Sequence, residues 1–380
     1  MKGLELPFSF YAVFAFILGL IFGSFLNVVI HRVPRGISVV FPGSHCGACG
    51  APVKAFDNIP LISYAFLGGR CRTCKARISI AYPMVELLTG LMFVALVFKT
   101  GPSWETLLEF AFVCVMIALI FIDATHFLIP NVITYPAFLF SLIGATARGV
   151  WGAHPTLTFD ITIFFPGLQS DFTLWRVALF GGALFAIAAP GFWLLDTLDP
   201  ILFGKYFDQE EPKEESSESA ELESMIETER RHHRVIIATM IFGLIVAIAW
   251  AAMVSFFSAN YQPAIEDAYS GLLRASAGAL IIGSLTWGIR AAYFFLRGIE
   301  GMGLGDIKMM SVVGAFLGWT GAFGVLLLGS VIGAIFGLIL MFRSQRGFKT
   351  PLPFGVCLGV ASLIVILTST PFSSWLLFRF

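Results

Sequence analysis

The chain has 380 residues, of which 57% are hydrophobic and only 13% charged, more apolar surface than one soluble core can hide, so an ordinary soluble enzyme is excluded and lipid is its solvent. Its 24 basic residues balance 24 acidic ones, which excludes a global field that would recruit nucleic acid. The first apolar run, from about Pro7 to Ile30, is no secretory signal: no positive bias precedes it, no small-x-small site follows it, and it ends at His31, Arg32 and Arg35. It predicts an uncleaved membrane helix whose C-terminal end faces the cytoplasm.

Further runs long enough to span, or nearly span, a bilayer lie at about Tyr82 to Phe98, Trp104 to Ile122, Asn131 to Ala147, Leu174 to Leu195, Val235 to Phe257, Leu272 to Leu296, Ile307 to Leu317, Ala322 to Phe342 and Leu352 to Leu377. The cluster Gly318, Trp319 and Gly321 divides what would otherwise be one very long run. The expected fold is an all-α polytopic membrane protein of about nine or ten transmembrane helices, with the Ile307 segment short and partly re-entrant. With the first helix running inward, the basic loops Arg32 to Arg77, Arg230 to Arg234, Arg297 to Lys308 and Arg343 to Lys349 all fall inside, and the loops near Gly101, His154 and Asn260 fall outside.

Two polar segments interrupt the helices. The stretch from Lys205 to Arg234 is acidic and serine-rich, too poor in apolar groups to offset the entropy of ordering, and reads as a linker ending in a basic cluster. His232 and His233 belong to that cluster and are expected at the headgroups rather than on a metal. The other segment, His31 to Ala81, carries Cys46-Gly-Ala-Cys49 and Cys71-Arg-Thr-Cys74. Two residues between cysteines let both thiolates of a tight turn reach one ion, and four thiolates with no open position favour a structural zinc in a small zinc-ribbon-like cytoplasmic domain. Two disulfides are the alternative, disfavoured by the reducing compartment that the basic loops assign. Cys114 and Cys357 stand alone in apolar runs and read as small buried hydrophobes.

Carboxylates at membrane helices are costly and need a reason. Asp123 ends an apolar run in FIDATHFLIPN and Asp306 begins another in GMGLGD; the basic loops place both at the cytoplasmic edge. Brought together, they would share a proton and supply the parts of an aspartyl protease: one ionised member to take a proton from water, one protonated member to polarise a carbonyl. Gly303 and Gly305 would let backbone approach backbone near Asp306, and Pro130 would stop the helix of Asp123 from running on. The alternative is that each aspartate only caps a helix; Ile307 would then open a helix capped by Asp306, whereas a carboxylate at a helix C-terminus such as Asp123 is unfavourable. Glu86 and Lys308 are charged residues near these motifs: Glu86 anchors substrate or cofactor, or bonds to backbone; Lys308 acts on a carboxylate, or reaches the headgroups. His126, near Asp123, reads as a polar loop residue.

These blocks resemble the bacterial type IV prepilin leader peptidases, the GxGD-type aspartyl proteases. The resemblance rests on IFGSFLNVVIHRVPRG (Ile21 to Gly36), the two CxxC pairs, ISIAYPMVELLTG (Ile78 to Gly90), FIDATHFLIPN (Phe121 to Asn131) and GMGLGDIKMM (Gly301 to Met310). It implies that Asp123 and Asp306 are the catalytic pair, with Gly303, Gly305, Lys308 and Glu86 as motif support. It further implies an inner-membrane enzyme whose substrates are prepilins and pseudopilins of type IV pili or type II secretion. Members with the cysteine domain also N-methylate the new amino terminus with S-adenosylmethionine, an activity that no nucleotide-binding loop in this sequence supports independently.

The expected organisation is a first transmembrane helix (1–31), a cysteine domain (32–81), helices carrying the first aspartate (82–149), inserted helices with the acidic loop (150–298), and the GxGD motif with C-terminal helices (299–380). The inserted pair, between Leu174 and Leu272, departs from the family pattern, but an even number of added spans preserves the side on which Asp306 emerges. Two other function classes fit intramembrane aspartates less well: an ion-coupled transporter, for which no inverted repeat is visible, and a secretion-system scaffold, which would tolerate loss of either aspartate.

Overall fold

A computed structural model of the chain describes residues 7–151, 262–298, 301–343 and 353–368. The expected spans Leu174 to Leu195 and Val235 to Phe257, the acidic stretch 205–234 and the end of the last apolar run lie outside the described residues. Within them the structure is helical, with no named strand: α1 (Phe8–Arg32), α2 (Ile62–Phe66), α3 (Ala81–Thr100), α4 (Trp104–His126), α5 (Asn131–Trp151), α6 (Gln262–Arg297), α7 (Leu304–Arg343) and α8 (Phe354–Thr368). Five of these, α1, α3, α4, α6 and α7, are long and apolar enough to cross a membrane, and α8 is a shorter apolar helix. The chain is thus a multi-pass membrane protein. The apolar side chains that α1 leaves uncovered, among them Phe10, Phe14, Ile17, Ile21 and Phe25, face lipid, where exposure costs nothing.

Close approaches fix the directions of the helices. A Cβ on Gly19 would stand 2.7 Å from Gly90 Cα, and one on Gly23 would stand 2.6 Å from Glu86 Cα; rising numbers on α1 meet falling numbers on α3, so the two are antiparallel at near-backbone contact, the small-residue packing that membrane helices use. Phe93 of α3 stacks on Phe110 of α4 at 3.8 Å. Lys308 and Phe316 of α7 bond to Asn131 and Arg148 of α5, which makes α5 and the first part of α7 parallel.

α7 is not one straight rod. Gly318, with φ 74° and ψ 172°, lies outside helical space, in the left-handed half of the map that favours glycine. The first part (304–317) runs parallel to α8, since Gly355 and Gly359 meet Asp306 and Met309 in that order; the second part (319–343) runs antiparallel to it, since Gly329 and Gly333 meet Leu358 and Phe354. Two parts with opposite directions relative to one helix form a hairpin, so the chain reverses at Gly318, the break expected from the glycine cluster. The reversal strips carbonyls of the first part of their helical partners. Arg148 answers one of them: its guanidinium donates to Phe316 O at 3.1 Å and lies 4.2 Å over the Phe316 ring.

These directions gather at one end of the bundle the C-termini of α1, α4 and α6 and the N-termini of α3, α5, α7 and α8. That end carries the cysteine segment and both aspartates.

Candidate active site

Asp123 does not end its helix. α4 starts on a capping box, with Thr106 N–H donating to Ser103 Oγ at 3.3 Å, and continues three residues past Asp123 to His126, where Phe127 (φ 52°) closes it by donating to Asp123 O at 3.0 Å. The carboxylate therefore projects from the last turn into the bundle, 6% exposed. Asp306, 8% exposed, is not the N-cap either. α7 opens at Leu304, so Asp306 is its third residue, and its Oδ2 accepts the N–H of Gly303 at 3.3 Å, the reach-back half of a capping box. Capping thus coexists with display of the carboxylate.

α8 joins the two. Val356 N–H donates to Asp123 Oδ2 at 3.0 Å. A Cβ built on Gly355 would stand 2.8 Å from Asp123 Oδ2 and 3.0 Å from Asp306 Oδ1, so the two carboxylate oxygens are no farther apart than those distances laid end to end. Ile129 packs between the motifs: a Cβ on Gly305 would stand 2.8 Å from its Cβ, and one on Gly355 would stand 2.9 Å from its Cδ1. Gly305 of GxGD is thereby explained as the surface that receives Ile129, while Gly303 serves through its N–H.

The supporting residues divide. Lys308 is 4% exposed and donates to Asn131 Oδ1 at 2.8 Å, with its ammonium 5.9 Å from the Tyr135 ring; instead of reaching the headgroups it ties the start of α7 to the start of α5. Glu86, also buried, accepts the N–H of Leu61 at 2.8 Å, so its carboxylate belongs to the junction between α3 and the cysteine segment. Sequence reasoning passed over Gly355, Val356, Ile129 and Arg148; the one local signal among them was Pro353 ahead of an apolar run, a helix start.

The four cysteine sulfurs lie within 4.8 Å of one another, and Cys46 and Cys74 sulfurs are 3.8 Å apart, about the edge of a tetrahedron with metal–sulfur bonds of about 2.3 Å. The knuckles repeat each other. Cys46 N–H donates to Ala51 O and Cys71 N–H to Ala76 O, both at 2.9 Å; Gly50 N–H returns to Cys46 O and Lys75 N–H to Cys71 O. Gly50 and Lys75 share a left-handed backbone, and isolated bridges His45–Pro52 and Arg70–Arg77 close both loops. Backbone N–H groups of Cys74 and Thr73 lower the Cys71 thiol to about 6, and those of Ala48 and Cys49 lower Cys46. Cys74 receives the Ala76 N–H yet is pushed up to about 11, first by Cys49: neighbouring thiols cannot all ionise without a cation between them. The donor set and spacing fit a structural zinc. Arg32 braces the segment from the membrane side, donating to Ser38 O at 2.9 Å and Gly43 O at 3.3 Å. Cys357 is buried and Cys114 half-buried, as their apolar surroundings predict.

Comparison with known proteins adds a separate line. The bacterial peptidase A24 N-terminal domain profile matches residues 17–100 and the type IV leader peptidase family profile matches residues 228–338; the second contains Asp306, and Asp123 lies between the two. A prepilin leader peptidase/N-methyltransferase of Aeromonas salmonicida (strain A449) is 28% identical, covering 98% of this chain and 95% of its own. That of Pseudomonas aeruginosa is 25% identical over 92% of this chain and 88% of its own, and that of Myxococcus xanthus is 38% identical over 48% and 56%. No solved structure matches. With two profiles in the expected order and relatives of one name along nearly its whole length, the chain belongs to the type IV leader peptidase family.

Proposed function

We propose that this protein is an intramembrane aspartyl endopeptidase that removes the leader peptide of type IV prepilins and pseudopilins at the cytoplasmic membrane face. The observation that carries the reading is the convergence of Asp123 and Asp306 on Gly355. Two carboxylates held that close in a sheltered site favour one ionised and one protonated member. The ionised member takes a proton from a water molecule as its oxygen adds to the scissile carbonyl carbon, and the protonated member donates to the carbonyl oxygen. Collapse of the tetrahedral species, with a proton returned to the departing nitrogen, releases the leader carboxylate and a new amine.

The placement of the aspartates supports the substrate class that the family resemblance implies. The aspartates lie at the bundle end that bears the basic loop residues, the cytoplasmic end by the positive-inside rule, so a short basic leader cut just before a hydrophobic helix presents its scissile bond at the right depth. Lipid surrounds the bundle, and no nucleic acid is invoked. Zinc held by Cys46, Cys49, Cys71 and Cys74 would supply a rigid fold for the cytoplasmic segment and no chemistry of the reaction. The relatives' names add an N-methyltransferase activity, which the family resemblance directs at the new amine with S-adenosylmethionine as donor; among the described residues nothing marks its binding place, and no step here is routed through it.

Purified protein mixed with a prepilin-type peptide tests the reading by product mass. Leader loss with the wild type, and none with Asp123→Asn or Asp306→Asn while both variants stay folded, is the expected result. Cleavage by either variant rules out the pair, and wild type without cleavage returns the transporter or scaffold.

A further inference from the structure

We infer that Gly355, the second residue of α8, is a positioning residue for the aspartate pair: its bare Cα, together with the Val356 N–H, sets the separation of the Asp123 and Asp306 carboxylates. The inference rests on the reading of that pair as catalytic. A methyl group at this position would lie 2.8 Å from Asp123 Oδ2 and 3.0 Å from Asp306 Oδ1, at or inside the closest approach that carbon and oxygen tolerate. Asp123 cannot retreat without stretching the 3.0 Å bond that its Oδ2 accepts from Val356 N–H, and Asp306 cannot retreat without stretching the 3.3 Å bond from Gly303 N–H. Asp123 is thus held by a backbone N–H of α8 itself and Asp306 by the N–H of Gly303, and each presents a carboxylate oxygen to the bare Cα of Gly355. Three separate segments, the last turn of α4, the first turn of α7 and the first turn of α8, must meet at this point for one water to contact both oxygens.

Gly359, one turn further on, faces Ile120 and Met309 rather than a carboxylate. It lets α8 lie close to α4 and α7, and the specific demand for an absent side chain at the chemistry falls on position 355 alone of the two. The third neighbour of a side chain at 355 would be Ile129 Cδ1, at 2.9 Å, and this neighbour makes the inference testable, because valine at 129 lacks that atom while leaving both carboxylates in place.

The experiment measures kcat and KM on a prepilin-type peptide for full-length wild type, Gly355→Ala, Ile129→Val, the double variant, and Gly337→Ala, a helical glycine of α7 with nothing within 4 Å of an added Cβ. Gly355→Ala should lose about 100-fold in kcat, the scale of an ångström-sized misplacement at reacting groups, with KM unchanged. The double variant should stay as slow as Gly355→Ala, and Gly337→Ala should match wild type. Recovery of the Ile129→Val rate by the double variant would show apolar crowding instead and overturn the inference, as would full activity of Gly355→Ala or a loss confined to KM. Should Gly355→Ala not fold, amide exchange at Val356 decides: faster exchange in Asp123→Ala than in wild type supports the inference, and equal exchange overturns it. If Asp123→Asn and Asp306→Asn still cleave, the reading of the pair fails; if they are inactive while Gly355→Ala is fully active, only the present inference does.

Discussion

Glu86→Ala tests how the cysteine segment is joined to the membrane helices. Glu86 sits in the second turn of α3, buried, and its Oε2 accepts the N–H of Leu61 at 2.8 Å. Leu61 has φ 58°, a conformation that a leucine adopts only when its surroundings enforce it. A hydrogen bond to a charged group contributes about 1.5–3 kcal/mol, and its loss should release Leu61 to ordinary backbone space. Converted to a local opening equilibrium, that energy accelerates exchange of the Leu61 amide by roughly 10- to 150-fold. Hydrogen–deuterium exchange on a peptide covering 59–66 reads this directly, with peptides from α4 as internal reference. Glu86→Gln keeps an acceptor but no charge and should fall between the two, since charge-assisted bonds are about twice as strong as neutral ones. Unchanged exchange at Leu61 in Glu86→Ala would refute the junction and leave Glu86 for a role toward substrate or cofactor.

Metal analysis of the purified protein should find about one zinc ion per chain, and the variant with serine at Cys46, Cys49, Cys71 and Cys74 should hold none; retained metal would refute the site. Chelation should loosen the cysteine segment to protease, because binding energy in a closed site is largely folding energy, while the α4–α7–α8 contacts remain. Arg148→Met removes the donor to Phe316 O and should cost about 1–3 kcal/mol, the penalty of an orphaned buried carbonyl, seen as earlier thermal unfolding in detergent; a rise in unfolding temperature would show that desolvating the guanidinium outweighs its bonds. Lys308→Met breaks the tie to Asn131 and should lower kcat by loosening the start of α7 beside Asp306. An unaltered kcat would make Lys308 a local anchor only.

What the sequence discloses is what local pattern encodes. Apolar runs gave the described helices to within a few residues for α1, α3, α4 and α5, and Gly318 gave the reversal in α7. The span count of nine or ten is a different matter, since two of those spans lie outside the described residues. Ends were misread by a single turn at the two places that matter: Asp123 lies inside α4, because Phe127 takes the left-handed closing position, and Asp306 is the third residue of α7, because Gly303 precedes its first turn. Paired CxxC spacing pointed to the four cysteines that the fold gathers into one cluster, but the matched left-handed residues Gly50 and Lys75 were half hidden, since lysine carries no mark of that conformation. Arg148 stayed invisible for a related reason. A basic residue near the end of an apolar run reads as a headgroup anchor, and only the broken helix it faces shows otherwise.

The carboxylate pair illustrates why order along the chain conceals an active site in a membrane bundle. Asp123 and the N–H that holds it are separated by 233 residues, and the α7 hairpin lies between Asp306 and α8. A single unbroken span between Asp306 and Phe354 would have started α8 at the opposite face, so the reversal at Gly318 is what returns the chain to the aspartate end. The return is secured at the far end as well: Lys99 of α3 donates to Ile366 O of α8 at 2.5 Å and pairs with Glu109 of α4 at 3.1 Å, answering a carbonyl at the C-terminus of α8 that its own helix cannot. α8 is therefore held at both ends by helices from the other half of the chain, by an amine at one and by a candidate catalytic carboxylate at the other. Sliding it by one residue, about 1.5 Å along its axis, would withdraw Gly355 from between the carboxylates. The contacts of Lys99 at the far end thus help to hold the register of α8 on which the approach of Gly355 to both carboxylates depends.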